Sequence, residues 1–336
     1  MVAADQTRLE FRKGLYAHLA AAREFALPPI QEYEGWDDTT KARFNHQRIV
    51  RLGRDLTITT PSMVRLHREL LLTSVLNEER ARGRSGFVIN GLPTRGKTTL
   101  CLEAMRFFYT AYRRQRDGVD LADALPIVYI CLPAHITPKA LVERASRFIG
   151  LPEINSNLES LQSRVVNNMV AHGTRLVVVD EIQNLRTTSF LGIESSRVLK
   201  DLIEQTYGCT FILAGSDAGQ SAVMLGDLGF PVLARSQLIE LEDYNADAAG
   251  NGEWERALAS FERKLGLFGQ RPGTLLDLSR HIFTRTNGRI SAVNELLRRA
   301  AAQVIHTSSS PQSETITADV LNRTFLDAKS PNEGRP

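Results

Sequence analysis

The octapeptide Gly91–Thr98 (GLPTRGKT) matches G-x-x-x-x-G-K-[ST] at every fixed position, between an apolar run, Phe87–Asn90, and a helix-forming stretch. That order narrows the choice of folds. Consecutive backbone N–H groups can turn inward onto a phosphate only if a buried strand delivers the loop. A helix must then begin behind it and add its positive dipole end. The pattern assigns Lys97 to the β- and γ-phosphates of a nucleotide and the Thr98 hydroxyl to a magnesium ion. Gly91, Pro93, Thr94, Arg95, Gly96 and Thr99 complete the expected cradle for ATP.

Further short apolar runs alternate with helix-length segments. Strands are expected at Gly86–Asn90, Ile127–Leu132, Arg175–Asp180, Cys209–Ala214 and Gln237–Leu241. Such alternation predicts a parallel five-stranded sheet covered by helices. The third run ends in Asp180 and Glu181. Asp180 is expected to hold magnesium through water, and Glu181 to polarise the attacking water. Ser216, just past the fourth run, is placed to hydrogen-bond the γ-phosphate or that water. Arg235 precedes the last run and is the candidate arginine finger toward a neighbouring subunit. Together these positions make the layout of an AAA+ domain.

From about 253 to 328 the pattern is helical apart from the polar loop Thr307–Ser313, with Trp254, Leu258, Phe261 and Leu265 on one stripe and Ile290, Val293, Leu296 and Leu297 on another. Arg289 stands at a helix start and is expected to close from this lid onto the same phosphate. The chain therefore reads as α/β: a P-loop AAA+ core over 61–242, an all-helical lid over 243–328, a basic helical extension over 1–60 and a disordered tail over 329–336.

Composition excludes several other classes. No apolar run approaches the about 20 residues of a membrane span. Asp5, Arg8, Glu10, Arg12 and Lys13 occupy the place where a secretory signal would be apolar. The 3 cysteines are far apart, which excludes a disulfide framework and fits a reduced cytoplasm. The 7 histidines lack ligand spacing, and neither H-E-x-x-H nor G-x-S-x-G occurs. A net charge of +3 hides an uneven distribution. Lys41–Arg84 carries ten Lys/Arg against four Asp/Glu, while Ser236–Glu255 has six acids and no Lys or Arg. Arg supplies 34 of the 41 basic residues, and its planar fork suits phosphate. A basic block and an acidic block on one chain also suit head-to-tail self-association.

The P-loop, the block Val178–Leu185 (VVDEIQNL) and the lid segments Trp254–Leu265, Thr286–Ile290 (TNGRI), Leu296–Ala301 and Ile316–Thr317 together resemble the TniB/TnsC-type transposition ATPases, over roughly residues 55–328. The resemblance implies an AAA+ ATPase that forms a homo-oligomeric ring or helical filament on double-stranded DNA with ATP and Mg2+. It implies recruitment of a DDE-type transposase, with a target-selector protein as a further partner and hydrolysis tied to disassembly. The DNA-facing stretch it implies follows the second strand, at His135, Thr137 and Lys139, with Arg144 and Arg147 beyond. Backbone contacts there would carry little sequence preference. Two other readings compete: a nucleotide-switched signalling or defence ATPase, and a replication initiator or helicase loader. Both generally carry an extra winged-helix or effector domain, for which the chain after the lid is too short.

Overall fold

The computed structural model describes residues 8–21, 25–53, 56–80, 84–116, 123–185, 190–216, 235–245 and 252–326. In chain order the elements are α1 (Arg12–Ala20), α2 (Ile30–Glu34), α3 (Asp38–Gly53), α4 (Pro61–Glu78), β1 (Gly86–Gly91), α5 (Lys97–Gln115), β2 (Ile127–Cys131), α6 (Pro138–Ile149), α7 (Leu158–Ala171) and β3 (Leu176–Asp180). There follow α8 (Phe190–Gln205), β4 (Thr210–Gly215), β5 (Gln237–Leu241), α9 (Glu253–Leu265), α10 (Thr274–Asp277), α11 (Ser279–Thr286), α12 (Ile290–Thr307) and α13 (Ala318–Arg323). Among the described residues no helix is long and apolar enough to cross a membrane.

The chain divides into two compact units, 1–22 with 62–241 and 23–61 with 242–336. The first holds a parallel five-stranded sheet in the order β2-β3-β4-β1-β5. Its central strands are apolar along their length because helices cover both faces, as a parallel sheet requires. Val88, Ile89, Val177, Val178, Ile212 and Leu213 are all essentially inaccessible. β5 closes one edge and is half exposed, with Leu238 and Glu240 facing outward. Local chemistry sets the helix ends. Thr137 caps α6 by accepting from the Ala140 N–H at 3.2 Å, Pro138 opens the helix, and Gly150 in the left-handed region closes it.

The sequence pattern sets residues 1–60 apart as one extension, whereas the fold shares them between the two units. Long-range pairs that spacing cannot show decide the division. On α1, the Tyr16 hydroxyl both accepts from the Ile127 N–H and donates to the Ile127 carbonyl, each at 3.0 Å. Arg106 on α5 donates to the carbonyls of His18, Leu19 and Ala21 at the C-terminal end of α1, where a cation also meets the negative dipole end. In the second unit α3 packs on α12, and Arg298 donates to the Leu52 and Gly53 carbonyls that end α3. That unit's core is built from Leu52, Ile58, Trp254, Leu258, Phe261, Ile282, Val293, Leu297 and Leu321. The tail 329–336, expected to be disordered, lies outside the described residues.

Candidate nucleotide site

In a parallel sheet the loops at the C-terminal strand ends gather on one side, and ligands bind there. Because β4 lies between β1 and β3, Ser216 at its end falls between the P-loop and the Asp180–Glu181 pair. The P-loop itself needs unusual backbone. Thr94 has φ 68° and Gly96 has φ 86°, which turn the chain before α5 starts at Lys97. Gly91 lets β1 run close to β5, since a Cβ there would sit 2.9 Å from the Leu241 carbonyl oxygen. Arg95 folds onto the same carbonyl at 3.3 Å, and Asn90 donates to the Glu240 carboxylate at 2.9 and 3.1 Å.

The Lys97 side chain is buried, and its Nζ donates to the carbonyls of Gly91 at 2.8 Å and Leu92 at 2.9 Å and to the Ser216 Oγ at 2.9 Å. Thr98 Oγ1 donates to Asp180 Oδ2 at 2.8 Å. Asp180 Oδ1 accepts the Glu181 N–H at 2.9 Å, and the Tyr129 hydroxyl donates to Oδ2 at 3.3 Å. Burial first, and the Asp180 charge second, push the Tyr129 phenol up, so it remains a donor. Cys101, also buried beside this charge, has its thiol pushed up for the same two reasons and stays unreactive.

These residues fit a magnesium–nucleotide. A buried ammonium held by neutral oxygens is ready for phosphate, and a hydroxyl beside a carboxylate is a hard-oxygen pair. Among the described residues no cluster of three or more His, Cys, Asp or Glu could hold a metal alone. Mg2+ commonly takes one or two protein oxygens and completes its shell with phosphate and water, and Thr98 and Asp180 offer such a pair.

The structure thus brings Lys97, Thr98, Asp180, Glu181 and Ser216 into one centre, with Pro93, Thr94, Arg95 and Thr99 along its loop and first helical turn. Arg235 is exposed two residues before β5, and the preceding residues 217–234 lie outside the described ones. Arg289 belongs to the helical unit, where it stands at the N-cap position of α12, without a side-chain capping bond, after a turn built on Asn287 and Gly288. Gly288 is required there: its φ is +67°, and a Cβ would meet the Tyr244 carbonyl oxygen at 2.1 Å. Along the stretch after β2, His135, Thr137, Lys139 and Arg147 are exposed. His135 has φ 58°, Lys139 lies 4.0 Å from Glu143, and Arg144 reaches back to the Cys131 carbonyl at 3.2 Å. Spacing did not reveal Tyr129 or Gln183. Tyr129 sits mid-strand, where an aromatic reads as core, and Gln183 lies within the resembling block but carried no assigned role.

A family model described as an AAA domain matches residues 80–220. A comparison with curated proteins finds no match. Among solved structures, the chain resembles the ORC1 protein of Aeropyrum pernix in complex with DNA (16% identity, TM-score 0.52, covering 78% of this chain and 63% of that one). It also resembles the ORC2 protein of the same organism in ADPNP–ADP complexes (14%, 0.56, 77% and 65%) and Cdc6p from Pyrobaculum aerophilum (16%, 0.50, 75% and 64%). This chain thus spans just under two thirds of each of them, and at these identities the likeness is one of fold. Residues 80–220 thus carry a P-loop domain of the AAA type.

Proposed function

We propose that this P-loop ATPase is an ATP-switched platform on duplex DNA that serves transposition. ATP-bound copies assemble on DNA with little sequence preference and recruit a DDE-type transposase, and hydrolysis ends the assembly. Within each copy Lys97 holds the β- and γ-phosphates, Ser216 reads the γ-phosphate, and Glu181 orients and polarises the water. Thr98 and Asp180 would hold Mg2+, which supplies charge neutralisation at the phosphates. Arg235 would complete a neighbour's site, and Arg289 would close on the phosphate from the helical unit.

The observation that carries the DNA part is the exposed set His135, Thr137 and Lys139 just past the end of β2, on the side of the sheet that also bears the nucleotide residues, with Arg147 exposed in the last turn of α6. The resemblance of the helical unit's sequence to the TniB/TnsC type supports the transposition part. Fold likeness to the ORC1 protein, whose structure is in complex with DNA, supports an initiator-like reading comparably. The two differ in an observable. A platform binds two unrelated duplexes equally in the presence of a slowly hydrolysed ATP analogue, and an initiator-like protein prefers one site. Pelleting with both duplexes in one tube decides between them: equal recovery supports the platform, and strong selection of one sequence overturns it.

A further inference from the structure

Gln183 lies two residues past Glu181, in the short 3-10 turn Ile182–Asn184 that follows β3. Its side-chain amide spans two strand ends. Oε1 accepts the Ser216 N–H at 3.0 Å, and Nε2 donates to the Glu181 Oε2. The Ser216 hydroxyl in turn accepts from Lys97 Nζ at 2.9 Å. A continuous path therefore runs from the phosphate-binding lysine through Ser216 and Gln183 to the water-polarising carboxylate. Room for the amide depends on Gly215, because a Cβ there would lie 2.6 Å from Gln183 Oε1 and 2.7 Å from Ile182 Cγ1. Glu181 itself has φ 65° and ψ 37°, a left-handed conformation that is uncommon for a residue with a side chain.

We propose that Gln183 is a positioning residue that ties the aim of the Glu181 carboxylate to the phosphate-reading end of β4. The inference rests on the ATPase reading and deepens it. The amide serves both ends, because it offers an acceptor and a donor from one planar group without carrying a charge. A carboxylate at 183 keeps the acceptor for Ser216 but opposes Glu181. A thioether fills the volume and serves neither partner well. When a phosphate draws Lys97 and Ser216, the displacement reaches Glu181 through this amide, so hydrolysis competence follows nucleotide occupancy. The geometry of a base matters steeply, since an ångström of misplacement costs about 100-fold in rate.

The test compares wild type, Gln183→Met, Gln183→Glu, Gly215→Ala, Glu181→Gln and the double variant Glu181→Gln/Gln183→Met. ATP hydrolysis with Mg2+ and plain duplex DNA is measured beside affinity for a fluorescent ATP analogue and melting temperature. Gln183→Met and Gln183→Glu are expected to lose about 10- to 100-fold in kcat while analogue affinity and melting temperature hold. Gly215→Ala, which crowds the amide from outside, is expected to lose kcat in the same way. In the Glu181→Gln background, adding Gln183→Met changes the residual rate little, because both act through one carboxylate. Wild-type kcat in Gln183→Met overturns the proposal, as does an equal loss in both backgrounds or a loss that tracks melting temperature. A wild-type chain that neither hydrolyses ATP nor binds the analogue overturns the ATPase reading instead, and the proposal falls with it.

Discussion

Lys97 is 6% exposed and donates to two loop carbonyls and the Ser216 hydroxyl, which hold its charge at the loop proposed to take the phosphates. Lys97→Ala removes the P-loop cation and is expected to abolish binding of a fluorescent ATP analogue, whereas Glu181→Gln keeps the shape and should still bind it. Hydrolysis in Glu181→Gln is expected to fall by about 100-fold or more, the usual contribution of a positioned base. Unchanged analogue affinity in Lys97→Ala, or wild-type turnover in Glu181→Gln, would refute these roles. Motif spacing made Lys97, Thr98, Asp180 and Glu181 legible, because a strand, a turn and a helix start fix their side chains locally. Tyr129 and Gln183 escaped for the opposite reason. Their hydrogen bonds depend on register: Cys131 pairs with Asp180 across β2 and β3, and this pairing brings Tyr129 within reach of the carboxylate.

Elements are joined by a few costly contacts. Arg48 on α3 is 1% exposed and Glu314 is 3% exposed, and the guanidinium donates to both Glu314 carboxylate oxygens and, at 2.7 Å, to the Gly266 carbonyl. Its face also lies 4.8 Å from the Phe268 ring centroid. Removing one partner strands a buried charge, so Arg48→Met is expected to cost about 3–5 kcal/mol in denaturant unfolding. Arg48→Met/Glu314→Leu should recover much of that loss, and a single variant as stable as wild type would contradict it. On α4, His67 stacks on Phe107 of α5 with ring centroids 4.2 Å apart and an interplanar angle of 2°. Burial lowers its pKa from the usual 6.5, against the raising effect of Glu103. A lowered folded pKa means full stability above the unfolded value and progressive loss as pH falls from there through the folded value. His67→Phe keeps the stack, so its melting temperature should fall less than that of wild type between pH 7.5 and 5.5, and parallel curves would exclude this role. The strands were legible to within a residue because each is a short apolar run between polar ends. The sharing of residues 1–60 was not, because pairs such as Arg12 with the Ala124 carbonyl and Arg48 with Glu314 join residues 112 and 266 positions apart.

At the scale of the whole molecule, an arrangement of basic and acidic blocks and an exposed Arg235 suit an active site shared between copies. Arg235→Ala is expected to bind ATP but hydrolyse it slowly, and mixing it with Lys97→Ala should restore part of the activity. Hydrolysis at a rate per chain independent of concentration would count against sharing. Assembly on DNA carries a quantitative demand. If each copy neutralises one or two phosphates, log K should fall by about 0.9 per contact for each log unit of salt. The most direct measurement is binding of random-sequence duplex DNA across a salt series, with and without a slowly hydrolysed ATP analogue. Binding should require the analogue, weaken steeply with salt, and drop far more than analogue affinity in Lys139→Glu. No association at low salt with the analogue present would contradict the DNA platform and leave a nucleotide-switched ATPase without a DNA role.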